Sequence, residues 1–383
     1  MRTARLTKPL RARIRAGHPW IYDRAVTLPS GLAPGELVRI VDDDGPVAIA
    51  FADPASPIRA RVLGDADATI DAGWVRSRCE AAAARRTRDP LLVGCTGRRL
   101  VHGEGDGLPG LVVDQYADTG VIVFDGPAAA AFWRPLLEPV LAGLDAGGVP
   151  LTHVWLRGDR RDRGGASAVR GEPPAEIVIE EDEARFAVDV RAGQKTGFFL
   201  DQRDNRRAIR RHAAGATVLN VFSYTGGFSL HAALGGATRV TSVDLAAPAI
   251  ANLAKNVERS GLPVASHELV VQDAFEFFAR AKSRRWDLVI VDPPSFAPSE
   301  RARPGALGAY RKLVTAALAH VEPRGRFALA SCSSHVSELD LLEICAGIAP
   351  LRLRSASGAA SDHPVLPAFP EGRYLKFLVF DLG

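Results

Sequence analysis

The sequence predicts an α/β protein in which a small β-barrel and a central α+β segment precede a parallel sheet with crossover helices. From about residue 191 onward, apolar strand-like runs alternate with amphipathic helical runs, as in a parallel sheet. Residues 1–72 instead contain short apolar runs separated by turn signals, which is typical of a small barrel. The chain of 383 residues has room for two or three domains. We expect three, with the boundaries 1–72, 73–190 and 191–383.

The composition predicts an ordinary globular protein, with 47% hydrophobic and 24% charged residues. No run approaches the roughly 18 consecutive apolar residues of a membrane helix, and the basic start lacks the apolar stretch of a signal peptide. We therefore expect a cytoplasmic protein with no membrane partner. The four cysteines show no Cys-x-x-Cys spacing, which argues against a zinc site or a disulfide framework. No metal is expected.

The first 22 residues are basic, and the first acid in the chain is Asp23. Cations that neutralise phosphates and rings that stack on bases are what RNA binding requires. The candidate RNA contacts in this arm are Lys8, Arg11, Arg13 and Trp20. A disordered tail or a solvated face explains the same composition, so the arm alone leaves both interpretations open.

The first two segments contain strands and helices in an irregular order. Barrel strands are predicted at LVRIVDD, PVAIAFAD and IRARVL. The central segment begins with an amphipathic helix at WVRSRCEAAAARRTRD and continues with a β-hairpin carrying a Gly-rich insert, RRLVHGEGDGLPGLVVDQYADTGVIVF. The elements predicted after it are a helix around 128–144, a strand at THVWLRG, a flexible arginine- and glycine-rich loop over 159–171, and strands at EIVIEED and ARFAVDV.

The last segment has the rhythm of strand, helix, strand, helix. One helix, PAIANLAKNVERS, has a proline in its first turn and apolar residues at i, i+3, i+4 and i+7, and Gly261 ends it. Another, FSLHAAL, is stopped by Gly235 and Gly236. The predicted strands are ATVLNVF, TRVTSVD, HELVVQDA, WDLVIVDPP and GRFALASCSS.

A Gly-containing loop, Ser223–Phe228, follows the first of these strands. Glycine at a strand-to-helix turn lets a ligand approach the backbone closely. Asp244 ends the second strand, at about the distance at which an acid holds a nucleoside ribose, and Asp273 follows the third. The loop does not read GxGxxG, so a nicotinamide dinucleotide is not expected. The three strand ends together predict a nucleoside cofactor.

The fourth strand ends in Asp292-Pro293-Pro294, and Phe296 follows. Two prolines stiffen the chain and remove two backbone donors, so that carbonyls and the acid point into a cleft. A carboxylate beside a planar ring is suited to hold the edge of a nucleobase and to stack on its face. The alternative is a stiff turn without a ligand.

The fifth strand ends in Ser331-Cys332-Ser333-Ser334-His335. A cysteine at the active edge of a sheet is a candidate nucleophile, whereas most free cysteines are small buried hydrophobes. Position alone leaves both readings of Cys332 open. We interpret His335 as a surface residue rather than a partner of the thiol.

A polar run, GQKTGFFLDQRDNR, leads into the catalytic segment. Its arginines continue at helical spacing through Arg203, Arg206, Arg207 and Arg210. That face can meet the carboxylate of a cofactor or RNA phosphates, or it is solvated.

Taken together, these motifs resemble the class I S-adenosylmethionine-dependent methyltransferases that form 5-methylcytosine in bacterial large-subunit rRNA. In that family a Rossmann-like catalytic domain follows an N-terminal PUA domain. The resemblance covers nearly the whole chain. AGHPWIYDRAV and PGELVRIVDDDG are similar to the PUA portion, LVHGEGDGLPGLVVDQY to the central portion, and GQKTGFFLDQRDNR, VLNVFSYTGGFSL, SVD, VDPPSF, SCSSH and HPVLPAFPEGRYLK to the catalytic domain.

The resemblance implies S-adenosylmethionine as the cofactor, large-subunit rRNA as the partner and a homodimer. Cys332 would attack the base and Asp292 would hold it. Ser295 stands where other RNA cytosine-5 methyltransferases carry a second cysteine, so product release would proceed without that thiol. The cofactor-binding residues would be Asn220, Phe222, Ser223, Tyr224, Gly226, Asp244, Leu245, Asp273, Ala274, Asp292 and Arg203. The residues touching RNA would be Lys8, Arg11, Arg13, Trp20, Lys195, Pro293 and Phe296.

Two other functions account for many of the same motifs. An RNA methyltransferase acting on a ring or exocyclic nitrogen of a purine also uses an acid-Pro-Pro-aromatic strand end, and Cys332 would then be structural. A non-catalytic RNA-binding ribosome assembly factor would keep the fold without the reaction. Cofactor binding and the identity of the methylated nucleoside separate these three hypotheses.

Overall fold

The computed structural model describes residues 1–158, 166–297 and 299–383, and the α/β fold class predicted from the sequence is confirmed. The described chain divides into two units. The first contains residues 1–177, 188–198 and 361–372, and the second contains residues 178–187, 199–360 and 373–383. Each unit is therefore assembled from separate stretches of the chain. The predicted division into three domains stays a prediction.

The first unit begins with a mixed six-stranded sheet and a short helix. The predicted basic arm is part of this sheet and not a tail, because its strand pairs in parallel with the strand that begins at Leu37. Ala4 and Leu6 of the arm are buried, whereas the intervening Arg5 is exposed. The sheet order is β2-β6-β5-β4-β1-β3. The elements are β1 Arg2–Leu6, α1 Arg11–Arg15, β2 Trp20–Tyr22, β3 Val26–Thr27, β4 Leu37–Asp42, β5 Gly45–Ala52 and β6 Ile58–Asp65.

A second, five-stranded sheet with three helices completes the first unit, in the strand order β11-β10-β9-β8-β7. Phe51 and Leu63 of the first sheet share a hydrophobic cluster with Val75, Val113 and Trp133, so one core serves both sheets. The elements are α2 Ala72–Thr87, β7 Gly97–His102, β8 Leu111–Tyr116, β9 Thr119–Phe124, α3 Pro127–Trp133, α4 Leu137–Ala146, β10 His153–Leu156 and β11 Ser167–Arg170.

Three details of this region differ from the sequence analysis. The predicted hairpin over residues 98–124 contains three strands, because the Gly-rich insert separates β7 from β8. The helix predicted over 128–144 is interrupted by a 3-10 turn at Arg134–Leu136, where Pro135 cannot donate a backbone hydrogen bond. Of the loop predicted over 159–171, residues 159–165 lie outside the described residues, and Ser167–Arg170 is a strand antiparallel to β10.

The second unit is built on a seven-stranded sheet in the order β16-β15-β14-β17-β18-β20-β19. Its first five strands are parallel, as predicted, whereas β20 runs antiparallel to β18 and the edge strand β19 runs antiparallel to β20. The sequence analysis did not predict those last two strands. The elements are β12 Ile177–Glu181, β13 Ala184–Val188, α5 Arg203–His212, β14 Thr217–Val221, α6 Gly227–Leu234, β15 Arg239–Asp244, α7 Ala247–Arg259, β16 His267–Val271, α8 Ala274–Ala281, β17 Trp286–Val291, α9 Arg303–Leu318, β18 Val321–Ser331, α10 Glu338–Ala346, β19 Leu351–Ser357 and β20 Lys376–Leu382.

The order of the parallel strands reverses between β14 and β17, which pair in register at Val221 and Val291. Ligands of open α/β sheets bind beyond the carboxyl ends of the strands at such a switch point. Separate apolar clusters cover the sheet, one around Val289 and Tyr310 and another around Ile209 and Phe377. Among the described residues, no helix is both long enough and apolar enough to span a bilayer.

Candidate active site of the second unit

The loop after β14 turns sharply into α6. Phe222, Tyr224 and Gly226 have φ values of 63°, 47° and 92°, all in the left-handed region. A Cβ on Gly226 would lie 2.6 Å from Cγ of Leu253, so glycine is required there for space as well as for backbone conformation. Left-handed residues other than glycine cost energy and cluster at ligand sites.

Three polar atoms on this turn are buried without a hydrogen-bond partner among the described residues: Oδ1 of Asn220, Oγ of Ser223 and Oγ1 of Thr225. The amide nitrogen of Asn220 is used, because it donates to Ser229 Oγ at 2.8 Å. A buried polar group without a partner costs about 1–3 kcal/mol, so three close together in sequence indicate a polar ligand.

Asp244, at the end of β15, is oriented by two backbone donors. Its carboxylate accepts hydrogen bonds from Tyr224 N at 2.8 Å and from Ala246 N at 2.9 Å. The neighbouring Leu245 is 71% exposed, which leaves an apolar side chain beside this acid. The structure thus brings Asp244 to the glycine loop, as the sequence predicted.

Asp273 has a local structural function. Its carboxylate caps α8 by accepting from Phe275 N at 2.8 Å and from Glu276 N at 3.2 Å, and Ala274, at the start of the helix, is buried. Helix capping alone accounts for an aspartate at this position. A cofactor contact by Asp273 and Ala274 stays a prediction.

Asp292, directly after β17, is held by a chain of hydrogen bonds that the sequence analysis missed. Gln202 Nε2 donates to Asp292 Oδ2 at 2.9 Å, and Asn205 Nδ2 donates to Gln202 Oε1 at 2.6 Å. Ser357 Oγ in turn donates to Asn205 Oδ1 at 2.8 Å. Gln202 and Asn205 are buried, so the amide that faces Asp292 has a defined orientation.

The loops after β17 and β18 are tied together through two buried serines. Ser333 Oγ lies 3.1 Å from Ser295 Oγ and accepts from Phe296 N at 3.2 Å. Tyr310 of α9 donates to Ser331 Oγ at 2.8 Å, and its ring packs edge-on against Phe296 at 5.0 Å. Both serines that flank Cys332 are therefore fixed by the scaffold.

Cys332 differs from the other three cysteines because it is half-buried, whereas Cys79, Cys95 and Cys345 are buried. Burial raises the pKa of the Cys79 and Cys345 thiols to about 12, which keeps them protonated. His335, close to Cys332 in sequence, has its Nδ1 3.0 Å from a carboxylate oxygen of Glu300.

Two neighbouring groups show that Cys332 and Asp292 share one environment. Burial is the main cause that raises the pKa of Tyr310, and its hydrogen bonds to two serines lower that pKa. Negative charge on Cys332 and Asp292 acts in the same direction as burial. The pKa of Lys376 is lowered by burial, while the charge of Cys332 acts in the opposite direction. Because β17 and β18 are parallel neighbours in the sheet, Asp292 and Cys332 both follow strand ends at the same edge.

The predicted RNA contacts of the first unit have different surroundings. Lys8 is exposed, whereas the Arg11 guanidinium binds Asp42. Arg13 contacts His18 at 2.7 Å, and the Trp20 indole donates to a carboxylate. Internal partners therefore account for Arg11, Arg13 and Trp20 without RNA, and their contact with RNA stays a prediction.

Two further predicted RNA contacts, Lys195 and Pro293, lie within residues 191–383. Lys195 has a φ of 50°, and Arg157 donates to its carbonyl oxygen and, at 2.5 Å, to that of Gly193. Pro293 is buried directly after Asp292. Both roles in RNA binding stay predictions.

Three of the four arginines on the common face of α5 contact acids of the same unit. Arg206, Arg207 and Arg210 each pair with an acid of the β12–β13 hairpin. Helical spacing identified the common face, but it did not reveal that a hairpin of acidic residues covers it. Arg203, at the start of the helix, is completely buried, and its contact with the cofactor stays a prediction.

Comparison with known proteins gives a consistent result over the whole chain. Residues 98–350 match the S-adenosylmethionine-dependent methyltransferase family model, and residues 4–65 match the PUA-like domain. A ribosomal RNA large subunit methyltransferase from Deinococcus radiodurans is 41% identical, with 98% of this chain and 97% of that protein covered. The ribosomal RNA large subunit methyltransferase I of Aeromonas salmonicida is 37% identical, with 94% of each chain covered.

Solved structures show the same fold at lower sequence identity. A SAM-dependent methyltransferase from Streptococcus mutans superposes with a TM-score of 0.86 at 23% identity, and the match covers 100% of both chains. A methyltransferase solved as a complex with SAH gives the same values. With its PUA-like domain, its methyltransferase fold and these close relatives, the chain belongs to the S-adenosylmethionine-dependent methyltransferases of large-subunit ribosomal RNA.

Proposed function

We propose that this enzyme methylates C5 of a cytosine in large-subunit rRNA through a covalent bond between Cys332 and C6 of the base. The observation that carries the proposal is the position of Cys332. It is the half-buried cysteine of the four, and it directly follows β18, the parallel neighbour of the strand that ends at Asp292. A nucleophile and a base-holding acid are what this chemistry needs.

The turn after β14 supports binding of S-adenosylmethionine. The oxygens of Asn220, Ser223 and Thr225 that have no partner among the described residues would accept hydrogen bonds from the cofactor, and Asp244 would bind the cofactor's ribose. The solved relative with bound SAH has the same fold. When bound, the cofactor supplies an electrophilic methyl group on a sulfonium.

The chain's own groups make C5 reactive toward that methyl group. The Cys332 thiolate forms a bond to C6, which turns the C5–C6 double bond into an enamine with a nucleophilic C5. As this bond forms, N3 of the base takes up a proton from water, so the adduct is a neutral enamine, and N3 returns that proton to water when the product forms. Asp292, oriented by Gln202, accepts hydrogen bonds from this N3–H and from the exocyclic amine and so stabilises the adduct. After methylation the C5 proton passes to water, the C6–S bond breaks, and its electron pair returns to the thiolate.

A base inside an RNA helix cannot reach these groups, so the substrate cytosine must be flipped out or lie in an unstacked segment. Phe296 packs edge-on against Tyr310 and stays half-buried, which leaves part of its ring for contact with a base. Exposed Lys8 and half-buried Lys195 would contact phosphates. Assembly as a homodimer, which the family resemblance implies, is part of the proposal.

The decisive experiment combines methyl transfer with product analysis. Large-subunit rRNA from a strain lacking the gene is incubated with S-adenosylmethionine and wild-type protein, Cys332→Ala or Cys95→Ala, and the nucleosides are analysed by mass spectrometry. We expect 5-methylcytidine from the wild type and from Cys95→Ala, which changes a buried cysteine of the first unit. We expect no product from Cys332→Ala, with cofactor binding intact.

Three results would overturn the proposal. Turnover retained by Cys332→Ala would remove the thiol from the mechanism. A methylated purine as the product would favour methylation of a nitrogen. Asp292-Pro293-Pro294 would then bind the amine that is methylated, and Cys332 would have only a structural role. Binding of cofactor and RNA without any methyl transfer would support an assembly factor instead.

A further inference from the structure

Lys376, the first residue of β20, lies beside the candidate nucleophile. It pairs directly with Ser331 in the antiparallel register of β18 and β20. Its Nζ donates to the carbonyl oxygen of Ser333 at 2.7 Å and to that of Tyr374 at 3.0 Å. Lys376 thus contacts the chain on both sides of Cys332, and its side chain is buried, with 7% exposed.

The charge of this buried ammonium group is not balanced by a carboxylate. Among the described residues, its hydrogen-bond partners are two neutral carbonyls, and no ion pair joins it to an acid. A buried cation is costly unless an anion accompanies it. A negative charge close to Lys376 would therefore be stabilised.

Burial is the main influence on the pKa of Lys376 and lowers it, and anionic forms of Cys332, Asp340 and Glu338 would act in the opposite direction, Cys332 most strongly. Asp340 already has partners, since it accepts from Arg303 at 2.7 Å and from the Ser337 hydroxyl at 2.7 Å. Glu338 is exposed at the start of α10. The thiolate of Cys332 is the remaining anion.

We propose that Lys376 is a positioning residue that keeps Cys332 ionised for attack on the base. The inference rests on the proposed function of Cys332. In this step the S–H bond breaks, the proton goes to water, and the sulfur keeps the electron pair beside the ammonium group. The same contact stabilises the thiolate when the C6–S bond breaks at the end of the reaction.

The other charged and titratable groups near this pair favour the neutral thiol. The carboxylates of Asp292, Asp340 and Glu338 would repel a thiolate, and Tyr310, whose pKa is raised, stays neutral. Ionisation of Cys332 therefore depends on a nearby cation. The titratable groups near the pair are Asp292 after β17, Tyr310 of α9, and Asp340 and Glu338 of α10. His335 of the loop after β18 is close to Cys332 in sequence, and its Nδ1 lies 3.0 Å from Glu300 Oε2.

Alkylation of the folded protein by iodoacetamide measures the thiolate directly. Because the other three cysteines are buried, the rate of modification of the Cys332 peptide between pH 6 and 10 reports on this thiol. We expect the midpoint of this pH profile of the alkylation rate to lie, in the wild type, below about 8.5, the ordinary pKa of cysteine. We expect Lys376→Met to raise the midpoint by about one pH unit, and Lys376→Arg to stay near the wild type.

Turnover gives a second readout that a purely structural role would not produce. For Lys376→Met we expect kcat to fall about tenfold near neutral pH and to recover as the pH rises, since a shift of one unit reduces the thiolate fraction about tenfold. Thermal unfolding and cofactor binding of each variant show whether the catalytic unit is folded.

A wild-type midpoint at or above 8.5 overturns the inference, and so does an unchanged midpoint in folded Lys376→Met. If that variant does not fold, the wild-type midpoint and the Lys376→Arg profile decide. The alkylation assay contains no RNA, so its failure is distinguishable from failure of the proposed function. The latter shows itself as turnover by Cys332→Ala or as a product other than 5-methylcytidine.

Discussion

The buried ion pair between Glu181 and Arg206 gives the most quantitative prediction for stability. Arg206 donates from Nε to Oε1 at 2.7 Å and from Nη2 to Oε2 at 2.5 Å, and both side chains are 2% exposed. His231 Nε2 lies 2.9 Å from Oε1 of the same carboxylate. Glu181→Gln keeps the size of the side chain but removes the charge. It removes the buried carboxylate charge that the Arg206 guanidinium contacts, and breaking a buried ion pair costs about 3–5 kcal/mol.

Thermal unfolding of the full chain measures this loss. For a unit of 150–250 residues, each kcal/mol lowers Tm by about 2–4 °C, so the transition of the second unit should fall by roughly 6–20 °C. Glu183→Gln is the matched control. It breaks the pair with Arg210 on the same hairpin, but Glu183 is 64% exposed, and the expected loss is below about 1 kcal/mol. Equal losses in the two variants would refute the argument from burial.

The pH dependence of the same comparison follows from the pKa of Glu181. Burial opposes ionisation of this acid, but Arg206 and His231 outweigh burial and hold its pKa well below the ordinary value of 4.5. The stabilisation is therefore complete above pH 4.5 and is lost as the pH falls through the lowered pKa. The difference in Tm between wild type and Glu181→Gln should be constant from pH 6 to 8 and should narrow below pH 4.5.

Two substitutions at the active site complete the predictions. Gln202→Leu removes the amide that donates a hydrogen bond to Asp292, and a hydrogen bond to a charged group is worth about 1.5–3 kcal/mol. We therefore expect kcat/KM to fall roughly 10- to 100-fold while the cofactor still binds. An unchanged kcat/KM would mean that Asp292 needs no orientation by Gln202. Gly226→Ala places a Cβ 2.6 Å from Leu253 at a φ of 92° and should weaken cofactor binding in calorimetry and lower stability by about 1–3 kcal/mol. Gly261→Ala also has a positive φ, 66°, but nothing lies within 4 Å of its Cβ, so it should leave cofactor affinity unchanged.

The sequence was sufficient to predict the parallel sheet and the positions of Asp244, Asp292 and Cys332, because a strand end is visible locally as an apolar run followed by a polar residue. The contacts that orient these groups are not local. Gln202 lies 90 residues from Asp292, and Lys376 lies 43 residues from Ser333. The sequence around Gln202 or Lys376 does not indicate which residue is its partner.

Two features that the sequence analysis left open have the same physical origin. The strand of the basic arm contributes only Ala4 and Leu6 to the core, so its apolar pattern is too short to recognise. The spacing of the α5 arginines shows that they share one face of the helix. It does not show whether their partners are phosphates or the acids of a neighbouring hairpin. In both cases a distant part of the chain decided the outcome, and local patterning contained no information about it.

The interleaving of the two units has a practical consequence for dissecting this enzyme. A fragment that begins at residue 191 would contain residues 361–372 but lack most of the first unit, to which they belong. Asp362 would then lose its hydrogen bonds with Arg86 and Arg99. The fragment would also lose β12 and β13, and with them Glu181, the anion that Arg206 requires. Truncation therefore cannot isolate a native catalytic module. RNA recognition and methyl transfer have to be separated by point substitutions in the intact polypeptide.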